Sequence, residues 1–340
     1  MGLGRRALLR WLGLGGGAGL VGGGLGMFGT PAPGAGDTTR QGGSPHDMSS
    51  HGGARGLAGR YGTMADPPDH LGPRALDERT IPPPFRPARA GQVRTVELRA
   101  METPLEVGKG GVTSALTYDG SAPGPIIRAT QGELLDVSVV NATSRPHTIH
   151  FHGSYDTTED GWQPVPPGER RTYRIAAETA GLHPYHCHTP PYAWHIAKGM
   201  YGAMIIDPPA GRPAALEFVL VLGGWDLNED GKNELYTWNG VAGFFHRFPI
   251  KVPVGELVRL YVANLVEYDP VASFHLHAQT FDVFRSGTSL EPAEHTDVIS
   301  LGPTERAILE FRLPRRGRYM FHPHQSHMVE NGAMGWIVAI

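Results

Sequence analysis

The chain has 340 residues, 40% of them hydrophobic and 19% charged, which is enough to bury more than one core. Its formal charge is −3, so binding to nucleic acid through phosphate neutralisation has little basis. A single Cys excludes an intrachain disulfide framework, and 47 Gly with 30 Pro suit turn-rich β structure better than long helices.

Residues 1–36 read as an address. Arg5, Arg6 and Arg10 precede an uncharged stretch rich in Leu, Gly and Ala from Trp11 to Gly29. The Arg pair resembles a twin-arginine signal, which implies an exported protein, periplasmic or extracellular. The many glycines make this a poor spanning helix, so no stable membrane insertion is expected once the signal is removed. Residues 37–91 follow as a Pro/Gly-rich linker, including Pro82-Pro83-Pro84, expected to be poorly ordered or to run as an extended strap. His46, His51 and His70 in it read as solvated.

From 92 onward the pattern is short strands between turns. They are expected at Thr95–Arg99, Leu134–Val140, Arg171–Ile175, Gly202–Ile206, Glu217–Leu222, Leu257–Val262, Phe281–Phe284, Ala307–Phe311 and Gly335–Ile340. No helical period is sustained. The region also repeats itself. Gly132-Glu133-Leu134 begins nine residues before Asn141, as Gly255-Glu256-Leu257 does before Asn264. Glu169 and Gly181 lie 17 and 5 residues before His186; Glu305 and Gly317 lie 17 and 5 before His322. This predicts two related all-β sandwich or barrel domains, 92–210 and 211–340, with a boundary near Asp207–Pro213.

Four HxH pairs occupy matching places in the two halves: His150/His152 and His186/His188, then His275/His277 and His322/His324. In a strand, residues i and i+2 share a face, so each pair presents two imidazoles side by side. Eight such nitrogens exceed a tetrahedral zinc and fit a multinuclear cluster. A second site gathers around the lone thiol. His147 stands three residues before His150, and Cys187 is followed by His195 after eight residues and Met200 after thirteen. Two imidazoles, a thiolate and a thioether are the ligand set of a blue-copper site. In the second half Ala272 and Pro323 occupy the places of His147 and Cys187, so that half has no such site.

On these motifs residues 92–340 resemble the two-domain multicopper oxidases, or small laccases, which are built from tandem cupredoxin domains with Greek-key topology. The variant with its blue site in the first domain fits best. The stretch Tyr118–Asn141 is also similar to the opening strands of such a domain. The resemblance implies four copper ions per chain. A type 1 copper would be held by His147, Cys187, His195 and Met200. His150 and His275 would serve a type 2 copper. His152, His277, His186, His188, His322 and His324 would hold a type 3 pair. It implies one-electron oxidation of a small reducing substrate (a phenol, an aromatic amine, or a reduced metal ion) and reduction of O2 to water. Cys187, consecutive with His186 and His188, would give a short covalent path between the two sites. Asp160, followed by Gly161, would be the proton donor, with Asp156 as the alternative. A closed homotrimer with clusters between subunits is implied as well.

The Cys-to-His interval of eight departs from the compact laccase motif. The string from His186 to Met200 is similar to the blue-copper loop of copper nitrite reductases, which form the alternative. Those enzymes carry Asp where this chain has His150 and lack a His after the Cys. A non-enzymatic copper carrier would leave four His pairs without a purpose. His183, His246, His295 and His327 read as surface or supporting residues. Asp226–Gly231 resembles a calcium loop, but the twelfth position is Thr237, so a polar turn is expected.

Overall fold

The computed structural model describes residues 65–88, 93–153 and 160–340. Residues 1–64, which include the expected signal 1–36 and the first part of the expected linker, lie outside the described residues. Four sheets stack face to face. The outer sheet of the first half holds Gly111–Tyr118, Val93–Gly108, Leu134–Asn141 and Arg170–Ala176, in that order. Its inner sheet holds Ile127–Thr130, Tyr201–Asp207, Gly181–His186 and His150–Phe151. The inner sheet of the second half runs Leu235–Trp238, Leu216–Trp225, Leu257–Asn264, Arg306–Arg312, Phe281–Arg285, Glu294–Thr296. The outer one runs Ile250–Val252, Gly335–Ala339, Gly317–His322, Ala272–Leu276, Val298–Leu301. The fold is all-β with cupredoxin-like Greek-key connections, and its longest described helix is Tyr192–Ala197. Among the described residues no helix is long and apolar enough to cross a membrane.

The sequence dictates the stacking through alternation. Leu220 and Leu222 face the core between the two second-half sheets, while Val219 and Val221 face the first half. Met204 and Ile206 enter the first-half core, while Ala203 and Ile205 meet the second half. A strand buried on both faces needs apolar residues at every position, which explains the runs Ala203–Ile206 and Val219–Leu222. All nine expected strands are present. Missed were strands such as Gly111–Tyr118 and Gly181–His186, where Thr, His and Pro interrupt the apolar pattern.

The internal repeat is a repeat of hydrogen bonds. Asn141 N–H donates to Glu169 O, and Asn264 N–H to Glu305 O, each at 2.9 Å. The Asn141 amide oxygen accepts from Thr143 N, and that of Asn264 from Val266 N, each at 3.0 Å. Gly132 and Gly255 turn with φ of 93° and 82°, a conformation that favours glycine. The chain leaves the first inner sheet at Asp207 and enters the second at Leu216.

An ion network ties the halves together at that crossing. Arg128 donates to both oxygens of Asp207, at 2.7 and 3.0 Å, and to Glu217 at 2.7 Å. Glu217 also accepts from Arg259 at 2.9 Å and from the Tyr261 hydroxyl at 2.7 Å. The described part of the linker, 65–88, lies as an extended strap over this region. Its polar groups find partners there: Pro83 O accepts from Arg128 at 2.7 Å, and Arg79 donates to Ala122 O at 2.9 Å. Arg128→Met strands the buried Asp207 carboxylate, so a loss of about 3–5 kcal/mol of stability is expected. Denaturant unfolding measures it; an unchanged midpoint would contradict the role given to this network.

Candidate metal centre

The lone thiol sits at the end of the strand Gly181–His186, fully buried. The short helix Tyr192–Ala197 carries His195 back over it. His195 Nδ1 lies 3.1 Å from Cys187 Sγ, and His147 Nδ1 lies 3.7 Å from it. Both rings thus aim the same nitrogen at the sulfur. Met200, also fully buried, packs in the same core, with its carbonyl accepting from Cys187 N at 3.0 Å. Burial holds both imidazoles neutral: His147 is depressed to about 4, and so is His195, with the Arg145 charge adding to the effect. Burial pushes the thiol up, while the backbone and hydroxyl groups of Thr148 and Thr189 oppose that shift. His147 Nε2 is buried with no partner among the described residues.

The eight paired imidazoles form two groups of the same design. His150 lies opposite His186 in one antiparallel register, as His275 lies opposite His322 in the other. His152 Nε2 faces His186 Nε2 at 3.2 Å, and His277 Nε2 faces His322 Nε2 at 2.8 Å. His186 Nδ1–H donates to Cys187 O at 2.9 Å; His322 Nδ1–H donates to Pro323 O at 2.7 Å. These bonds fix the tautomer and leave each Nε2 a lone pair aimed at the facing ring. The amides of His188 and His324 donate to hydroxyls in matching places, Thr148 at 2.9 Å and Ser273 at 2.7 Å. Burial and the neighbouring rings hold His152 down to about 3 and His186 to about 4. The imidazole nitrogens of each group converge and leave a place for a cation.

Residues 101–211 and 226–339 match two family models, each described as multicopper oxidase, which together take in more than half of the chain. The chain belongs to the multicopper oxidase family. It is therefore an oxidoreductase that uses copper, and the donor set fits: soft sulfur with imidazoles at one site, imidazoles alone at the others. A crystal structure described as a multicopper oxidase superposes with a TM-score of 0.74 and 38% identity, covering 79% of this chain and 97% of that one. The copper nitrite reductase of Nitrosomonas europaea superposes with a TM-score of 0.68 and 28% identity, covering 73% and 94%. By sequence, a copper-containing nitrite reductase of Neisseria meningitidis is 31% identical over 284 residues, covering 75% of this chain and 71% of its own. The multicopper oxidase MmcO of Mycobacterium tuberculosis is 34% identical over 146 residues, covering 41% and 28%.

The oxidase does not bring its two imidazole groups together within one chain. Within each four the rings touch one another, and among the described residues no ring of one four touches a ring of the other. The first group stands on the inner sheet of the first half and the second on the outer sheet of the second half, with a whole sheet between them. At roughly 10 Å per layer that separation is about 20 Å. The second group is also open, with His277 and His324 exposed.

Asp160 meets His150: its Oδ1 lies 2.5 Å from Nδ1 and accepts that proton. Asp156 lies outside the described residues. Of the remaining histidines, His183 is buried with Nε2 2.8 Å from Thr179 O. His246 accepts from the Trp336 indole, and the exposed His295 and His327 pair with Asp282 and Asp269. His70 pairs with Glu106, largely in solvent. In the loop after Trp225 the carboxylates of Asp226, Asp230 and Glu234 converge, but the Asp226 oxygens accept from the amides of Asp230 and Gly231, so the loop closes as a polar turn.

The sequence reading missed the cleft over His195. It has a volume of about 400 Å³ and is walled by Pro146, Pro190, Pro191 and Trp194, with Arg145, Thr189 and Glu229. These residues come from three separate loops, so no spacing in the chain announces them.

Proposed function

We propose that the protein is an exported, laccase-like oxidase that takes single electrons from a small donor bound beside His195 and passes them to O2. In this reading 92–210 and 211–340 are two cupredoxin modules preceded by the export signal 1–36. Each chain would hold four copper ions. His147, Cys187, His195 and Met200 would hold the type 1 ion. His150 and His152 with His186 and His188 would supply one half of a three-copper site. His275, His277, His322 and His324 of a neighbouring copy would supply the other half. Copper held in these places supplies one-electron chemistry at the thiolate site and four-electron reduction of O2 at the imidazole site.

The chain's own residues have distinct tasks. Burial of Cys187, His147 and Met200 keeps water from the sulfur. Cys187 is bonded through single peptide links to His186 and His188, so the two sites share one short stretch of backbone. The carbonyls of Cys187, Pro323 and Asp297 hold Nδ1–H of His186, His322 and His275, turning each Nε2 inward. Asp160 does the same for His150, and in this reading its carboxylate would take up a proton from solvent and hand it on when O2 becomes water. Asp160→Asn keeps an acceptor for Nδ1–H and removes the proton store. The expected result is a fall in turnover of about 10–100-fold, with the visible band of the thiolate site unchanged. Loss of that band would point to a structural role instead.

The observation that carries the assembly is the separation of the two imidazole groups by an intact sheet. Exposed apolar residues fringe both: Trp162 and Tyr192 against His188 in the first, and Val298 opposite His275, with Val271 nearby, in the second. A closed trimer, head to tail, would cover both fringes. Nitrite reduction is the second reading, favoured by the Neisseria and Nitrosomonas relatives. His150 and His188 weigh against it, because they extend the ligand set beyond one mononuclear imidazole site. Oxygen uptake with a simple phenol, alongside copper analysis of the purified protein, tests the choice. About four ions per chain with oxygen uptake supports the oxidase; about two ions with nitrite consumption overturns it.

A further inference from the structure

The cleft over His195 carries a charge pattern that sorts electron donors, and the inference drawn from it rests on the donor-site reading above. We propose that Arg145 makes this oxidase selective for an aromatic donor bearing a negative charge, such as a phenolic carboxylate, and against metal cations as donors.

The two charged groups in the wall are not equivalent. Glu229 is already engaged: its Oε1 lies 2.7 Å from Lys198 Nζ, which is itself almost wholly buried. Lys198 first, with smaller help from Trp194 and the Arg145 charge, holds its carboxyl below the usual range. Arg145 has no carboxylate within ion-pair distance among the described residues. Its guanidinium lies over the Trp194 ring, 5.2 Å from the centroid. Its backbone is pinned, since Arg145 O accepts from the Asn141 amide at 2.7 Å and from the Thr143 hydroxyl at 2.9 Å. The exposed guanidinium is therefore positioned at the mouth and free to take an anion. Counting Lys198 with Glu229, the wall has one positive charge in excess.

A metal cation meets the opposite situation. Of the groups in the wall, the Glu229 carboxylate is the one whose charge would attract it. The single carboxylate in the wall would have to be taken from Lys198, and the ion would sit in the repulsive field of both Lys198 and Arg145. The remaining surface, Pro146, Pro190 and Pro191, suits a flat ring. A one-ring acid fits the volume, with its ring against the prolines and its carboxylate toward Arg145.

The test compares vanillate with its methyl ester, which share a ring and differ in charge, on the copper-loaded full chain. The wild type should show a lower KM for vanillate. In Arg145→Gln the ratio of the two KM values should shift toward one by about three- to fivefold, and Arg145→Lys should retain part of the preference. Added salt should weaken the wild-type preference and leave the Gln variant unmoved. Calorimetric binding of benzoate against benzamide gives the same answer without turnover: benzoate should bind better, and only with a cation at position 145. A ratio unchanged in Arg145→Gln, equal binding of benzoate and benzamide, or Fe(II) used more efficiently than vanillate would overturn the inference. Absence of oxygen uptake with every donor would instead sink the oxidase reading, and the benzoate measurement would still decide the role of Arg145.

Discussion

Cys187→Ser should yield a protein that folds, has no intense visible band, and consumes no oxygen with any donor. The hydroxyl is nearly the size of the thiol, so the buried site at the end of Gly181–His186 is not overpacked. What changes is softness: a serine oxygen does not replace thiolate as a ligand for reduced copper. The imidazole groups stay intact, since His186 is oriented by the backbone carbonyl of residue 187 and not by its side chain. Copper content should therefore fall by about one ion of about four per chain. Paramagnetic spectra should keep the signal of the imidazole sites and lose that of the thiolate site. A variant that stays blue would show that the sulfur is not a ligand.

The largest effect expected from assembly comes from mixing two inactive chains. His152→Ala damages the first imidazole group and His322→Ala the second, and each alone should be inactive, because every seam in a closed ring then carries a damaged half. In co-expressed mixtures a seam is intact when the first group comes from the His322→Ala chain and the second from the His152→Ala chain. Random assortment gives about a quarter of seams in that state, so about a quarter of wild-type oxygen uptake should return. If both groups served one site within a single chain, mixing would restore nothing. The layered fold makes the first outcome the expected one, since the sheet containing Leu216–Trp225 and Leu257–Asn264 stands between the groups.

Much of this was legible in the sequence because the relevant information is local. A strand has period two, so HxH pairs declare a shared face wherever they fall. The matched intervals from Gly132 to Asn141 and from Gly255 to Asn264 proved to be matched turns and hydrogen bonds. The thiolate site was legible as well, because His147, Cys187, His195 and Met200 lie on neighbouring strands and one short loop. The cleft was not. Arg145, Trp194 and Glu229 meet only after three loops are folded, and Glu229 comes from the other half of the chain. The separation of the imidazole groups was also hidden. Spacing fixes which residues share a strand face, but which sheet ends up between two faces depends on how both-sided apolar strands such as Tyr201–Asp207 stack. For the segment 65–88 the sequence left poor order and an extended strap both open, because what holds the strap, the Arg79 and Arg128 contacts, lies far along the chain.

In the proposed assembly, the openness of the second imidazole group ties metal binding to quaternary state. Where ligands of one ion are divided between copies, whatever binds the ion must also tighten the seam, by simple mass action. Copper supply and quaternary state then become one variable. A starved population would drift toward separate subunits that scavenge metal with bare imidazoles, and replenishment would weld them back into rings.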